Sequence, residues 1–248
     1  MAKYIIKRVI AAILTIWVLI TIVFFLVRLM PGDPFTSAKL TDEVRANMEA
    51  YYGFDKPMIV QYGIYMVNLL HGDFGYSMKY TNKTVNDIIG ETFPFSADLG
   101  IRALLLALSI GLVLGIVSAR NRGKKLDFFC VIVAVLGTSI PDFIMGAALQ
   151  YFFGIKWGLF PVARYEGIEY TILPAFALAF YTLASVSRIM RASMLEVTSQ
   201  DYIKTARSKG VSELRITCKH QIRNAIMLVM TVMGPTVASV LTGTFVIE

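Results

Sequence analysis

Of 248 residues, 56% are hydrophobic and 17% charged, against about 45–50% and about 25% in soluble domains. That balance excludes an ordinary soluble globular domain and points to an all-α, polytopic membrane protein. The formal charge of +7 falls beside apolar runs and forms no stripe interleaved with aromatics, so it reads as membrane topology and excludes a nucleic-acid partner.

Lys3, Lys7 and Arg8 precede an apolar run from Val9 to Val27, long enough for one helical span at about 20 residues per bilayer. No small-residue cleavage site follows, so a retained first span (9–27) with its N-terminus in the cytoplasm is expected. Residues 30–94 form an outer segment. Pro31-Gly32-Asp33-Pro34 breaks the helix, and Thr41 or Asp42 begins a short helix that ends near Tyr51–Pro57. Val60 to Leu70 suits an amphipathic helix, with a turn at Gly72-Asp73-Phe74-Gly75. Eight acidic residues against five basic ones suit the outer side.

A second span is expected at 99–119, with Arg102 near its outer end. Its Gly111-Leu-Val-Leu-Gly115 permits close helix approach, either within the subunit or at a dimer face. Arg120, Arg122, Lys124 and Lys125, opposed by Asp127 alone, mark the next loop as cytoplasmic. A third span (128–153) is interrupted at Ser139-Ile140-Pro141-Asp142. An ionisable residue at that depth is a pathway candidate; equally, Pro141 kinks the helix and Asp142 satisfies freed backbone donors or faces water. After a short outer loop, a fourth span covers 171–190 and a fifth 225–247. Five spans leave the C-terminus outside, and a sixth span missing beyond Glu248 is expected. Residues 1–248 read as a single transmembrane domain. Cys130, in an apolar run, and Cys218, in a basic loop, indicate neither a disulfide nor a metal site, and His71 and His220 add no metal constellation.

Between the fourth and fifth spans lies a polar, basic loop, 191–224. Thr198-Ser-Gln-Asp201 is a capping-box pattern; Asp201 to Lys209 suits a short helix, and Gly210 a left-handed terminus. Ser212 begins a second helix that runs through Ile216 and Ile222 into the fifth span. Thr205 and Ala206 form a small face open to close approach. Lys204, Arg207, Lys209, Arg215, Lys219 and Arg223 suit an acidic rim, or lipid headgroups alone.

Ala206 and Gly210, at their spacing, resemble the cytoplasmic loop of bacterial ABC-importer permeases, whose general pattern is Glu-Ala-Ala, three residues, Gly, nine residues, Ile-x-Leu-Pro. Lys204, Thr205, His220, Ile222 and Arg223 depart from it. These departures are similar to the peptide and nickel branch: Asp201-Tyr202, Thr205-Ala206-Arg207, Lys209-Gly210, His220 and Arg223-Asn224-Ala225 match that branch's version. Pro31–Pro34, Tyr52–Pro57, Gly72–Ser77, Glu91–Pro94 and Ser139–Pro141 resemble the first of the two permeases in oligopeptide systems, so the likeness covers essentially the whole chain.

The resemblance implies a type I ABC importer transmembrane fold in the bacterial inner membrane. It implies a second homologous permease, two ABC ATPases and an extracytoplasmic substrate-binding protein as partners. Asp201, Tyr202, Thr205, Ala206, Arg207, Lys209 and Gly210 would make the helix that couples the permease to an ATPase. The chain carries no phosphate-cradling glycine motif, so no cofactor is expected in it: ATP and magnesium belong to the ATPases, and the permease is not an enzyme. Oligopeptides are the expected cargo, with dipeptides, nickel or another small solute as alternatives. A membrane hydrolase would need a partner for Asp142, and none is apparent. A scaffolding subunit would use the loop only to bind headgroups.

Overall fold

The computed structural model describes residues 1–29, 49–77, 80, 83–162 and 164–242. Among them the elements are helices, and the one β feature is an isolated bridge between Tyr76 and Thr84. Four helices are long and apolar enough to cross a membrane, and a sharply bent helix pair brings the number to five when the pair is counted as one span. Among the described residues the chain is therefore all-α and polytopic, with four to five apolar spans. The expected breaker at Pro31–Pro34, the helix start at Thr41 or Asp42 and the last residues of the fifth span lie outside the described residues.

By its contacts the chain divides into two compact units, Met1–Glu91 and Thr92–Glu248. In the first, α1 (Ala2–Leu29) is apolar on every side from Val9 to Val27 and buries only Phe24, the pattern of a helix whose solvent is lipid. Its C-terminal end meets α2 (Met58–Leu70). Thr21 Oγ1 and the Tyr62 hydroxyl are 2.7 Å apart, Phe24 meets Tyr62 edge-on at 5.4 Å, and Arg28 lies over the Phe54 ring at 4.1 Å. Residues 71–77 are folded by side chains. Asp73 accepts from the Tyr51 hydroxyl at 2.5 Å and from the Gly75 N–H at 2.9 Å, and Asn86 donates to the Gly72 carbonyl at 2.6 Å.

The second long helix, α3 (Val85–Arg120), begins 14 residues before the expected span start at 99. The reason is a capping box. The Asp87 N–H donates to Thr84 Oγ1 at 3.0 Å, and the Thr84 N–H donates to the Asp87 carboxylate at 3.1 Å, so two orphan donors of the first turn are satisfied reciprocally. Pro94 sits inside this helix without ending it.

In the second unit the third span is not one straight helix. α4 (Lys125–Ser139) and α5 (Asp142–Leu149), which continues into a π-helical turn at Gln150–Lys156, meet at 106°. Pro141 has no N–H to continue the ladder, and Ile140 before it is extended at φ −93°, ψ 121°. α6 (Ile168–Thr198) overruns the expected 171–190 at both ends, so the first eight residues of the expected loop are helix. α7 (Asp201–Ser208), α8 (Glu213–Ile216), a π-helical turn at Thr217–Gln221 and α9 (Ile222–Thr242) follow.

The core lies on α6. Leu99, Ala103 and Ala107 of α3 pack on Ala175, Leu178, Ala179 and Leu183, and Met190 and Met194 pack with Ala225, Val229 and Met233 of α9. The Gly111 and Gly115 pair faces inward. A Cβ on Gly111 would lie 2.8 Å from the Leu183 carbonyl, and one on Gly115 2.7 Å from the Ser187 carbonyl. Close approach is therefore used inside the subunit.

Candidate functional site

The 191–224 segment is a short helical hairpin built on the ends of α6 and α9. α7 ends in two reciprocal backbone bonds. The Val211 N–H donates to the Ala206 carbonyl at 3.2 Å, and the Gly210 N–H donates to the Arg207 carbonyl at 2.9 Å. With Gly210 at φ +74°, this is a Schellman turn, and the glycine is what makes its left-handed residue cheap. Arg207 then spans the turn as a fork, its Nε 2.6 Å from Glu213 Oε1 and its Nη2 3.2 Å from Oε2. Lys204 reaches back to Asp201 at 2.8 Å and holds that carboxyl below its ordinary value.

Burial divides the helix into two faces. Ile203 is 0% exposed and Ala206 half-buried, while Tyr202, Thr205 and Lys209, at helical spacing, are exposed. The structure thus brings Tyr202, Thr205 and Lys209 together on one open face with Asp201 and Arg207 at its edges. Ala206, half-buried beside Thr205, also supplies the carbonyl that closes the turn. Arg207 and Lys204 are engaged within the loop, whereas Lys209, Arg215, Lys219 and Arg223 make no ion pair among the described residues.

The expected capping box at Thr198 and Asp201 does not form. Thr198 belongs to the last turn of α6, where its hydroxyl donates to the Met194 carbonyl at 2.6 Å. Gln200 takes the cap position of α7 with no side-chain cap bond. Ser212 takes that position for α8, also through its backbone alone. The hairpin is closed by contacts distant in sequence. Gln221, 4% exposed, donates to Thr198 Oγ1 at 2.9 Å, and Ser193 Oγ donates to the Ala225 carbonyl at 3.1 Å. Ile203, Ile216 and Gln221 were not legible as site residues. The apolar positions 203 and 216 within a basic loop were the available signal.

At the other end of α6, about 40 Å away at 1.5 Å per residue, a cavity of about 750 Å³ opens among α3, α5 and the start of α6. That is within the range of small-ligand sites. Phe95, Phe143, Gln150, Tyr165, Thr171 and Pro174 are among its walls. Tyr165 donates to Asp98, which also accepts from Arg102 Nε at 2.8 Å, and Tyr165 stands edge-on to Phe95 at 5.0 Å. Asp142 is exposed at the start of α5, and its carboxylate accepts the Phe143 N–H at 3.0 Å. Its neighbour Phe143 lines the cavity.

The family description "Binding-protein-dependent transport system inner membrane component" matches residues 111–248, and that family's N-terminal region matches residues 1–100. The chain belongs to this family. It is a multi-pass inner-membrane subunit with the membrane fold of ABC importers. Similar proteins include the dipeptide transport system permease protein DppB of Bacillus subtilis, 45% identical over 100% of this chain and 81% of the relative. The oligopeptide transport system permease proteins OppB of Haemophilus influenzae and Salmonella typhimurium are each 41% identical over 100% of this chain and 82% of theirs.

Proposed function

We propose that this permease subunit forms half of an import pathway for oligopeptides and that α7 couples the pathway to a cytoplasmic ATPase. The observation that carries the reading is the construction of α7. A two-turn helix is held by a Schellman turn, a bidentate Arg207–Glu213 pair and a fully buried Ile203, yet it leaves Tyr202, Thr205 and Lys209 open. A loop that only touched headgroups would have no use for such a fixed face. The names of the relatives support peptides as cargo, and the cavity at the far end of α6 offers aromatic walls with hydrogen-bonding groups among them.

In this reading a second, homologous permease completes the pathway. Two ABC ATPases hold ATP and magnesium, and a substrate-binding protein delivers cargo on the outer side. The N-terminus and the 191–224 hairpin lie in the cytoplasm. Closure of the ATPases displaces α7 and switches the pathway from inward-open to outward-open. Asp142, beside the cavity wall, is a pathway residue on this reading; unchanged transport in Asp142→Asn would remove it.

The test is Gly210→Asp. Membrane insertion is expected to remain and substrate-driven transport to be lost; normal transport would remove the coupling role. A pull-down of the tagged chain in mild detergent is expected to recover a second permease and ATPase subunits, and recovery of the chain alone would favour a scaffold. Dipeptides are the second reading, supported by the name of the Bacillus relative. Competition between dipeptides and longer peptides for uptake separates the two.

A further inference from the structure

The most completely built polar contact in the second unit lies outside α7. Asp127, in the first turn of α4, has a side chain only 8% exposed. Its Oδ1 accepts from Arg191 Nε at 2.8 Å and from Ser118 Oγ at 2.5 Å. Its Oδ2 accepts from Arg191 Nη2 and from the Gly123 N–H, both at 2.9 Å. One carboxylate therefore joins the end of α3, the turn after it, the start of α4 and the last third of α6. Bidentate charge-assisted bonds of this kind fix geometry as well as adding energy.

The location gives this contact a mechanical meaning. Arg191 lies seven residues before the end of α6, and α6 leads into α7 through only Ser199 and Gln200. From Asp127, α4 runs antiparallel along α6. At Gly137 a Cβ would lie 2.5 Å from the Ala184 Cβ and 3.0 Å from the Phe180 carbonyl. Beyond the bend at Pro141, Phe143, Gly146, Ala147 and Gln150 form one wall of the 750 Å³ cavity, while Thr171, Leu173 and Pro174 of α6 form another. The two helices are thus clamped at the end near α7 and packed without slack in the middle, and α6 and the bent continuation of α4 both reach the cavity.

We propose that Asp127 and Arg191 are positioning residues for transport: their ion pair makes α4 move with α6, so that displacement of α7 reaches the bent 142–156 segment at the cavity wall. This rests on the coupling role proposed for α7. Both act through the helices that they join. Packed interfaces of this kind switch between discrete arrangements and do not deform smoothly. A clamp at the driven end decides whether α4 follows α6 or is left behind.

The test uses the whole transporter recovered through the tagged chain and reconstituted with its binding protein, comparing Asp127→Asn, Arg191→Lys and Gly210→Asp with wild type. Peptide transported per ATP hydrolysed, normalised to assembled complex, is expected to fall in Asp127→Asn on the order of 5- to 150-fold, the usual range of a coupling free energy. Arg191→Lys keeps the charge without the fork and is expected to fall less; it serves if Asp127→Asn assembles poorly.

A second readout is one that a merely structural role would not move. With Cys218 replaced by Ser, Phe143→Cys is labelled by a membrane-impermeant maleimide with and without ATP. Wild-type labelling is expected to change with nucleotide, and labelling in the Asp127→Asn background to be insensitive to it. Lower yield of complex with unchanged transport per ATP and unchanged labelling response overturns the proposal. If Gly210→Asp also transports normally, the coupling reading itself falls; if Gly210→Asp uncouples and Asp127→Asn does not, only the clamp falls.

Discussion

Gln221 donates a hydrogen bond to Thr198 across 23 residues, at 2.9 Å, and so joins the two roots of the loop that carries α7. Gln221 is buried and Thr198 half-buried, so the bond is sheltered from water. Thr198→Val leaves the Gln221 amide without this partner and is expected to cost about 1–3 kcal/mol, because a stranded buried donor loses its full desolvation penalty. Thr198→Ser is expected to be near neutral. The double variant Thr198→Val with Gln221→Leu is expected to recover part of the loss. Thermal aggregation midpoints of the assembled complex in detergent, arranged as a double-mutant cycle, measure the coupling.

Ile203 and Tyr202 are adjacent and are expected to fail differently. Ile203 is 0% exposed, so Ile203→Ala is expected to cost about 2–5 kcal/mol and to loosen α7 from the hairpin. Tyr202 is 43% exposed, and Tyr202→Ala is expected to leave stability within about 0.5 kcal/mol while weakening recovery of ATPase subunits. Thermal stability and ATPase co-purification, measured on both variants, separate the two roles. ATPase recovery that is unchanged in Tyr202→Ala would move the docking face elsewhere.

What was legible in the sequence follows how local the physics is. Gly210 was readable because a left-handed helix end is decided within one turn, and the apolar spans were readable because lipid imposes length and apolarity along contiguous chain. Capping shows the limit. Thr84–Asp87 and Thr198–Asp201 share the same spacing, yet only the first pair caps a helix. α6 continues through Thr198 because Met194 and Met190, one and two turns earlier, are packed against α9, and that packing overrides a signal worth about 1 kcal/mol. Asp127 was visible only as the one acid in a basic loop. Its partner Arg191 is 64 residues away, and no sequence window joins them.

The two kinds of helical glycine in α3 give opposite expectations. Gly115 is buried, and a Cβ there would meet the Met190 Cβ and the Ser187 carbonyl, each at 2.7 Å. One of these is backbone and cannot swing aside, so Gly115→Ala is expected to cost about 1–3 kcal/mol by overpacking. Gly90, in the same helix, has nothing within 4 Å of its built Cβ. Gly90→Ala is expected to stabilise by about 0.5–1 kcal/mol, since alanine loses less backbone entropy in a helix. Thermal midpoints of the two variants in one detergent check both signs.

The fold of residues 71–77 is expected to depend on pH through Asp73. The Tyr51 hydroxyl, and after it the Gly75 N–H, bond the Asp73 carboxylate and hold its pKa below the ordinary value. A carboxyl whose folded pKa is depressed stabilises fully above its unfolded value, about 3.9, and that stabilisation is lost as pH falls through the lower folded value. Tyr51→Phe removes the larger cause, so Asp73 returns toward its ordinary value and less stability is linked to its charge. Hydrogen exchange of the 71–77 amides, corrected for intrinsic rates, is expected to be faster in Tyr51→Phe at pH 7. The gap between variant and wild type is expected to narrow as pH drops below about 4. A gap of constant size down to acid pH would show that Tyr51 acts by packing alone and that the charge on Asp73 has no part in holding the segment.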